Sequence, residues 1–282
     1  MVNIKNTLLI IIIAVVFSGC TALNKTNPTD PSGTNYIGMH YLGVIGEFSK
    51  LDDFEVNGTI IWCVDSQNKK IYKYDISGNL DYTLSDPRFV APTGICSNGT
   101  YIFAADNKII KYNASYVSNV AEVQLPDYSS TYNFIKCAVS ATYLYAATDT
   151  TVIVFDIAAN SITALSKGGF ISISEIKYNS DTNDVAIADS GTKKITICDL
   201  NLGYKREIAF IEEIKGFGIK GNNLYVPTGT GVQQYNYNTG VFIKTFANFG
   251  EGAGKIIAPA ICDIYGDYVL FGVGNTIKYF GP

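Results

Sequence analysis

Few residues in this chain can do chemistry. Among 282 residues there are one histidine, one tryptophan, two methionines and six cysteines. A single imidazole, His40, removes every metal site that needs two or three, and it reads as a surface or packing residue. Cys63, Cys96, Cys137, Cys198 and Cys262 form no C-x-x-C pair, so structural zinc and thioredoxin-like exchange have no basis. Cys63, Cys137 and Cys262 stand where other repeats carry apolar core residues, and all five read as buried, unpaired thiols that pack as small hydrophobes. Glu55, Asn133, Glu175 and Asp263 carry oxygen donors of the kind that hold a hard cation, but at no spacing that marks a cage. Lys69, Lys70, Lys108, Lys193 and Lys194 fall in or beside polar turns. They are the candidate ligand-binding residues, suited to capture anionic groups.

Overall charge narrows the partners. Lys and Arg number 21 against 25 Asp and Glu, a net charge of −4, and only 16% of residues are charged, where soluble domains average about 25%. There is no basic excess of the sort that phosphate-backbone binding requires, so nucleic acid is not an expected partner. With 47% hydrophobic residues the chain has ample material for a core.

The N-terminus supplies an address. A short segment with Lys5 precedes an unbroken apolar run from Leu8 to Phe17, followed by Ser18-Gly19-Cys20. That run is about half the ~20 residues a membrane-spanning helix needs, so it reads as an export signal. Phe17-Ser18-Gly19-Cys20 resembles the lipobox of bacterial lipoproteins, with Phe17 in place of the usual Leu. The resemblance implies lipidation of Cys20 and cleavage before it, and two or three acyl chains anchor stably. Residues 1–19 are therefore expected to be a signal peptide. Residues 20–36, rich in Asn, Thr, Pro, Ser and Gly, are expected to be a flexible tether.

The remaining residues, 37–282, read as strands. Short segments rich in Ile, Val, Tyr and Phe alternate with clusters of Gly, Asn, Asp and Ser every eight to twelve residues, which is the all-β signal. Asn57-Gly58-Thr59 through Asp65 recurs as Asn98-Gly99-Thr100 through Asp106, and Asp65-Ser66 through Ile71 recurs as Asp189-Ser190 through Ile195. With Asp65 as phase marker, the equivalents are Asp106, Thr148, Asp189, Thr228 and Val273. A repeat of about 42 residues with room for four strands is the signature of a propeller blade. Six units fill the domain. The last unit runs out of chain after its third strand, so the extra strand Met39–Gly46 is expected to close the ring as its fourth. Along each second strand a bulky column (Trp62, Phe103, Tyr145, Tyr225) shares a face with a small one (Val64, Ala105, Ala147, Ala188), as wedge-packed blades require.

Val185 to Ile197 and Ile61 to Tyr74 resemble the NHL repeat, in which a strand ends in Asp and a basic residue precedes Ile in the next strand. The resemblance is sharp in units one and four, and units three and five lack both residues. It implies that Asp65, Asp106 and Asp189 are architectural, accepting backbone hydrogen bonds in the turn. Propeller enzymes that use axial histidines, such as amidating lyases and paraoxonase-like lactonases, do not fit a chain with one His. Gluconolactonase-like propellers instead hold a divalent cation such as Ca2+ with Glu, Asn and Asp. Glu55, Asn133, Glu175 and Asp263 keep a metal-dependent hydrolase or lactonase as the alternative. The favoured expectation is a monomeric, non-enzymatic scaffold without cofactor. It would be lipid-anchored outside the cytoplasm in the cell membrane or outer membrane, and bind an envelope protein, peptide, glycan or small molecule.

Overall fold

The computed structural model describes residues 40–115, 123–124, 133–228, 231–248 and 260–281. The expected signal peptide, the tether and Cys20 lie outside the described residues. So does the side chain of His40.

Six four-stranded antiparallel sheets make up the described chain. Strand β1 (His40–Ile45) precedes the first sheet, which comprises β2 (Leu51–Asn57), β3 (Ile60–Asp65), β4 (Lys70–Asp75) and β5 (Leu80–Ser85). The second contains β6 (Gly94–Ser97), β7 (Tyr101–Ala105), β8 (Ile109–Asn113) and β9 (Val123–Gln124). The third contains β10 (Lys136–Val139), β11 (Tyr143–Ala147), β12 (Thr151–Asp156) and β13 (Ser161–Gly168). The fourth contains β14 (Ile173–Asn179), β15 (Asp184–Asp189), β16 (Lys194–Cys198) and β17 (Tyr204–Ala209). The fifth contains β18 (Gly218–Lys220), β19 (Asn223–Thr228), β20 (Gly231–Asn236) and β21 (Phe242–Asn248). The sixth joins β22 (Ile261–Tyr265), β23 (Tyr268–Val273) and β24 (Thr276–Gly281), with β1 beside β24 and Ile45 opposite Ile277.

The first strand of each sheet touches the first strand of the next, and β22 touches β2. The chain is thus a six-bladed β-propeller with its innermost strands around a common axis. Apolar cores fill the seams between sheets. Trp62 and Val64 pack with Ile95, Ile102 and Ala104 between sheets one and two, and Phe103 and Ala105 pack with Phe134, Cys137 and Ala146 between sheets two and three. The large and small columns therefore lie in the seams. Glycine permits close approach at the second seam: a Cβ on Gly94 would stand 2.7 Å from the Ile135 carbonyl and 2.8 Å from the Lys136 Cα.

The three marker aspartates tie blades one, two and four to the linkers that enter them. Asp65 accepts hydrogen bonds from the Ser49 and Asn68 amides at 2.7 and 2.9 Å, Asp106 from Val90 and Asn107 at 2.7 Å each, and Asp189 from Ile171, Ser172 and Gly191. A short carboxylate thus fixes its own turn and a chain segment some 16 residues earlier. In unit three, Thr148 accepts from the Thr151 amide at 3.1 Å, within its own turn.

Candidate functional site

Innermost strands carry the unusual residues. Two-residue periodicity puts Asp53 and Glu55 on one face of β2, and Glu175 and Lys177 on one face of β14. Lys136 begins β10 and Asp263 lies in β22. All six come from buried or half-buried positions in strands whose other residues are mostly apolar. Sequence reasoning singled out Glu55, Glu175 and Asp263 but missed Asp53, Lys136 and Lys177. The available signal was the alternation itself: a charged residue in core phase on the first strand of a unit cannot face solvent at the rim.

The six side chains form two triads stacked along the axis. In one, Lys136 Nζ lies 3.0 Å from Asp53 and 3.8 Å from Glu175. In the other, Lys177 Nζ lies 2.9 Å from Glu55 and 3.4 Å from Asp263. Each triad has one ammonium and two carboxylates, drawn from three different sheets. Asp53 also accepts the Phe54 and Ile95 amides at 3.0 and 3.1 Å, and Asp263 accepts the Val56 and Ile264 amides at 2.7 and 2.9 Å. These aspartates stitch neighbouring blades together as well as pairing with lysine. Glu175 accepts one main-chain amide, from Ile176, and its Oε2 has no hydrogen-bond partner.

Two carboxylates against one ammonium leave each triad one negative charge in excess where water is scarce. Burial penalises charge strongly, and the group with fewest hydrogen bonds takes up the proton. Burial, only partly offset by Lys136, pushes Glu175 up to about 7. Burial, opposed by Lys177, pushes Glu55 up to about 8. Desolvation also works against the charge on both lysines, but the facing carboxylates outweigh it and hold them above the usual lysine range. Near neutral pH each triad approaches electrical balance with one protonated glutamate.

Two members of the Lys177 triad, Lys177 and Glu55, form the floor of an open cup of about 390 Å³. Glu55 and Lys177 face it from below, with Ala138 and Val139 beside them, and Asn57, Ser97, Asn98, Ser140, Ala141 and Ser180 forming its wall and rim. Several of these polar groups also hold the architecture: Asn57 Nδ2 donates to the Ser97 carbonyl at 2.7 Å, and Ser140 Oγ accepts the Tyr143 amide at 2.9 Å. The Glu55 side chain keeps 20% exposure, so water reaches this pair.

A divalent cation does not fit these residues. Among the described residues no three His, Cys, Asp or Glu side chains are placed to hold one. Each axial carboxylate lies within 4 Å of a lysine ammonium, so an added cation would meet two fixed positive charges. Asn133 is exposed ahead of β10 and has no place in either triad.

The sequence-predicted lysines lie at the opposite end of the strands from the cup. Lys69 and Lys70 belong to the first sheet's turn, Lys108 to the second's, and Lys193 and Lys194 to the fourth's. Lys193 Nζ donates to the Ile211 carbonyl at 3.1 Å, and Lys194 pairs with Glu207 at 2.8 Å. The five lie in or beside turns of three different blades and share no ion-pair or side-chain hydrogen-bond partner among the described residues. The five core cysteines are buried and free, and burial raises the Cys63, Cys96 and Cys262 thiols well above the ordinary range.

No protein-family model matches the chain, and no curated protein matches it. The likeness to the NHL repeat therefore rests on the motifs of units one and four.

Proposed function

We propose that this protein is a binding scaffold: an NHL-like propeller, held by a lipidated Cys20 outside the cytoplasmic membrane, that seats a small polar ligand without net charge in its axial cup. One observation carries the reading. Ionisable groups, open volume and a polar rim coincide at the cup, and its two lining charges, Lys177 and Glu55, pair with one another at 2.9 Å. Such a floor offers donors and acceptors but no unbalanced charge to attract an ion. Hydroxyls and amides at the rim suit a polyhydroxylated ligand of the glycan class, and rigid strands pre-set their geometry, which lowers the cost of binding.

The anchor and the cup are tested separately. Cys20→Ala is expected to move the protein from the membrane to the soluble fraction, and retention in the membrane contradicts anchoring. Screening the purified protein against arrayed neutral and charged oligosaccharides tests the cup. Binding confined to neutral members supports the reading, and binding confined to charged members opposes it.

A further inference from the structure

The buried cysteines are not equivalently placed. Cys63, Cys198 and Cys262 each lie in a seam core with no second cysteine, whereas Cys96 and Cys137 share one. Strand phase explains the meeting. On β6, Ile95 packs toward sheet one, so the next residue, Cys96, faces sheet three. On β10, Ala138 packs toward sheet four, so Cys137 faces sheet two. Cys137 Sγ donates to the Phe103 carbonyl at 3.5 Å, and Phe103 is the cross-strand partner of Cys96. Gly94 brings the strands together here, since any side chain on it would collide with the β10 backbone.

We propose that Cys96 and Cys137 are a cross-linking site, forming a disulfide that joins the innermost strands of sheets two and three when the chain folds in an oxidising compartment. The oxidant is an external disulfide of the glutathione type. One cysteine thiolate attacks it, giving a mixed disulfide and releasing one thiol. The second thiolate then displaces the other thiol. Two cysteine thiols lose two protons and two electrons, and the external disulfide is reduced to two thiols. Once folded, the pair is 1% and 3% exposed, so the bond forms before the seam closes. Its supply of oxidant rests on the extracytoplasmic reading, while its geometry does not.

The full-length chain, reduced and denatured, is refolded in a mixed glutathione buffer and in parallel with dithiothreitol, then alkylated and mapped by non-reducing mass spectrometry. The expected result is a Cys96–Cys137 peptide pair in the glutathione sample and a melting temperature roughly 5–10 °C above the reduced sample. Cys96→Ala or Cys137→Ala removes that gain, while Cys198→Ala leaves the pair intact. Alkylation of both residues after oxidative refolding, or pairing of Cys96 with another cysteine, overturns the proposal. Because the buffer supplies the oxidant, this result does not depend on location. A pair that links in vitro but stays reduced in cells contradicts the extracytoplasmic placement instead.

Discussion

Lys177 of the fourth sheet donates to Glu55 of the first across the propeller axis, at 2.9 Å and 122 positions apart in the chain. Two sheets that share no seam are thereby joined through the centre. Removing the lysine strands two carboxylates, and breaking a buried pair from one side costs about 3–5 kcal/mol. Lys177→Met is expected to destabilise by an amount in that range in urea unfolding. Glu55→Gln, which keeps a neutral group where a protonated glutamate stands, is expected to cost less than half as much. A double-mutant cycle on the two residues should give a coupling of about 1–3 kcal/mol.

Stability should depend on pH through the two axial glutamates. Their folded values, about 8 for Glu55 and about 7 for Glu175, stand above the ordinary 4.5. Between these limits the folded state holds more protons than the unfolded one, so stability falls as pH rises. Their contribution is complete below about pH 4.5 and lost by about pH 8. Allowing for the partial exposure of Glu55, roughly 1–3 kcal/mol should disappear between pH 6 and pH 8.5. The Glu55→Gln/Glu175→Gln double variant should flatten that slope in urea melts.

Asp189 predicts the opposite sign at low pH. Burial opposes the Asp189 charge, but the amides of Ile171 and Ser172 outweigh it and lower its value below the ordinary 3.8. This contribution is present above about pH 4 and is lost as pH falls through the folded value. Asp189→Ala leaves backbone donors of a turn and a linker unpaired and is expected to cost about 1–3 kcal/mol at pH 7. Thr148→Ala, whose bonds stay within one turn, should cost less.

Close approach at the second seam gives a steric prediction. Gly94→Ala puts a methyl within 3 Å of the Ile135 carbonyl and the Lys136 Cα, and neither backbone atom can turn aside. A loss of about 1–3 kcal/mol is expected. Because Lys136 moves with that backbone, the variant should also change the alkaline limb of the stability profile.

The ring was legible in the sequence because the alternation recurs at a period of about 42 residues and the turn chemistry repeats in several units, from Asn57-Gly58 to Asp65 and again from Asn98-Gly99 to Asp106. Units three and five escaped the motif because threonine stands at their marker position: Thr148 accepts the Thr151 amide and Thr228 donates to the Gly231 carbonyl, each three residues along the chain. The axial triads were harder to see. Glu55 and Glu175 stood out as isolated donors, but a single sequence does not say that Lys136 and Lys177 come to rest against them, since those contacts join sheets one, three, four and six. Turn lysines drew attention because they repeat with the motif, whereas the charged floor of the cup, Glu55 and Lys177, comes from non-equivalent positions on two sheets.

The most direct test of a cup-based binding function is a substitution that fills the cup and leaves the core alone. Ala141 is exposed at its rim, so Ala141→Trp should preserve the melting temperature while occupying the volume above Glu55 and Lys177. Isothermal titration of wild type and variant with a neutral oligosaccharide that the array identifies, at 50 mM and 500 mM salt, is the decisive measurement. The account predicts saturable binding by the wild type with little dependence on salt, and a loss of at least tenfold in affinity for Ala141→Trp. Unchanged binding by a folded Ala141→Trp, or wild-type binding that collapses at high salt, would contradict it.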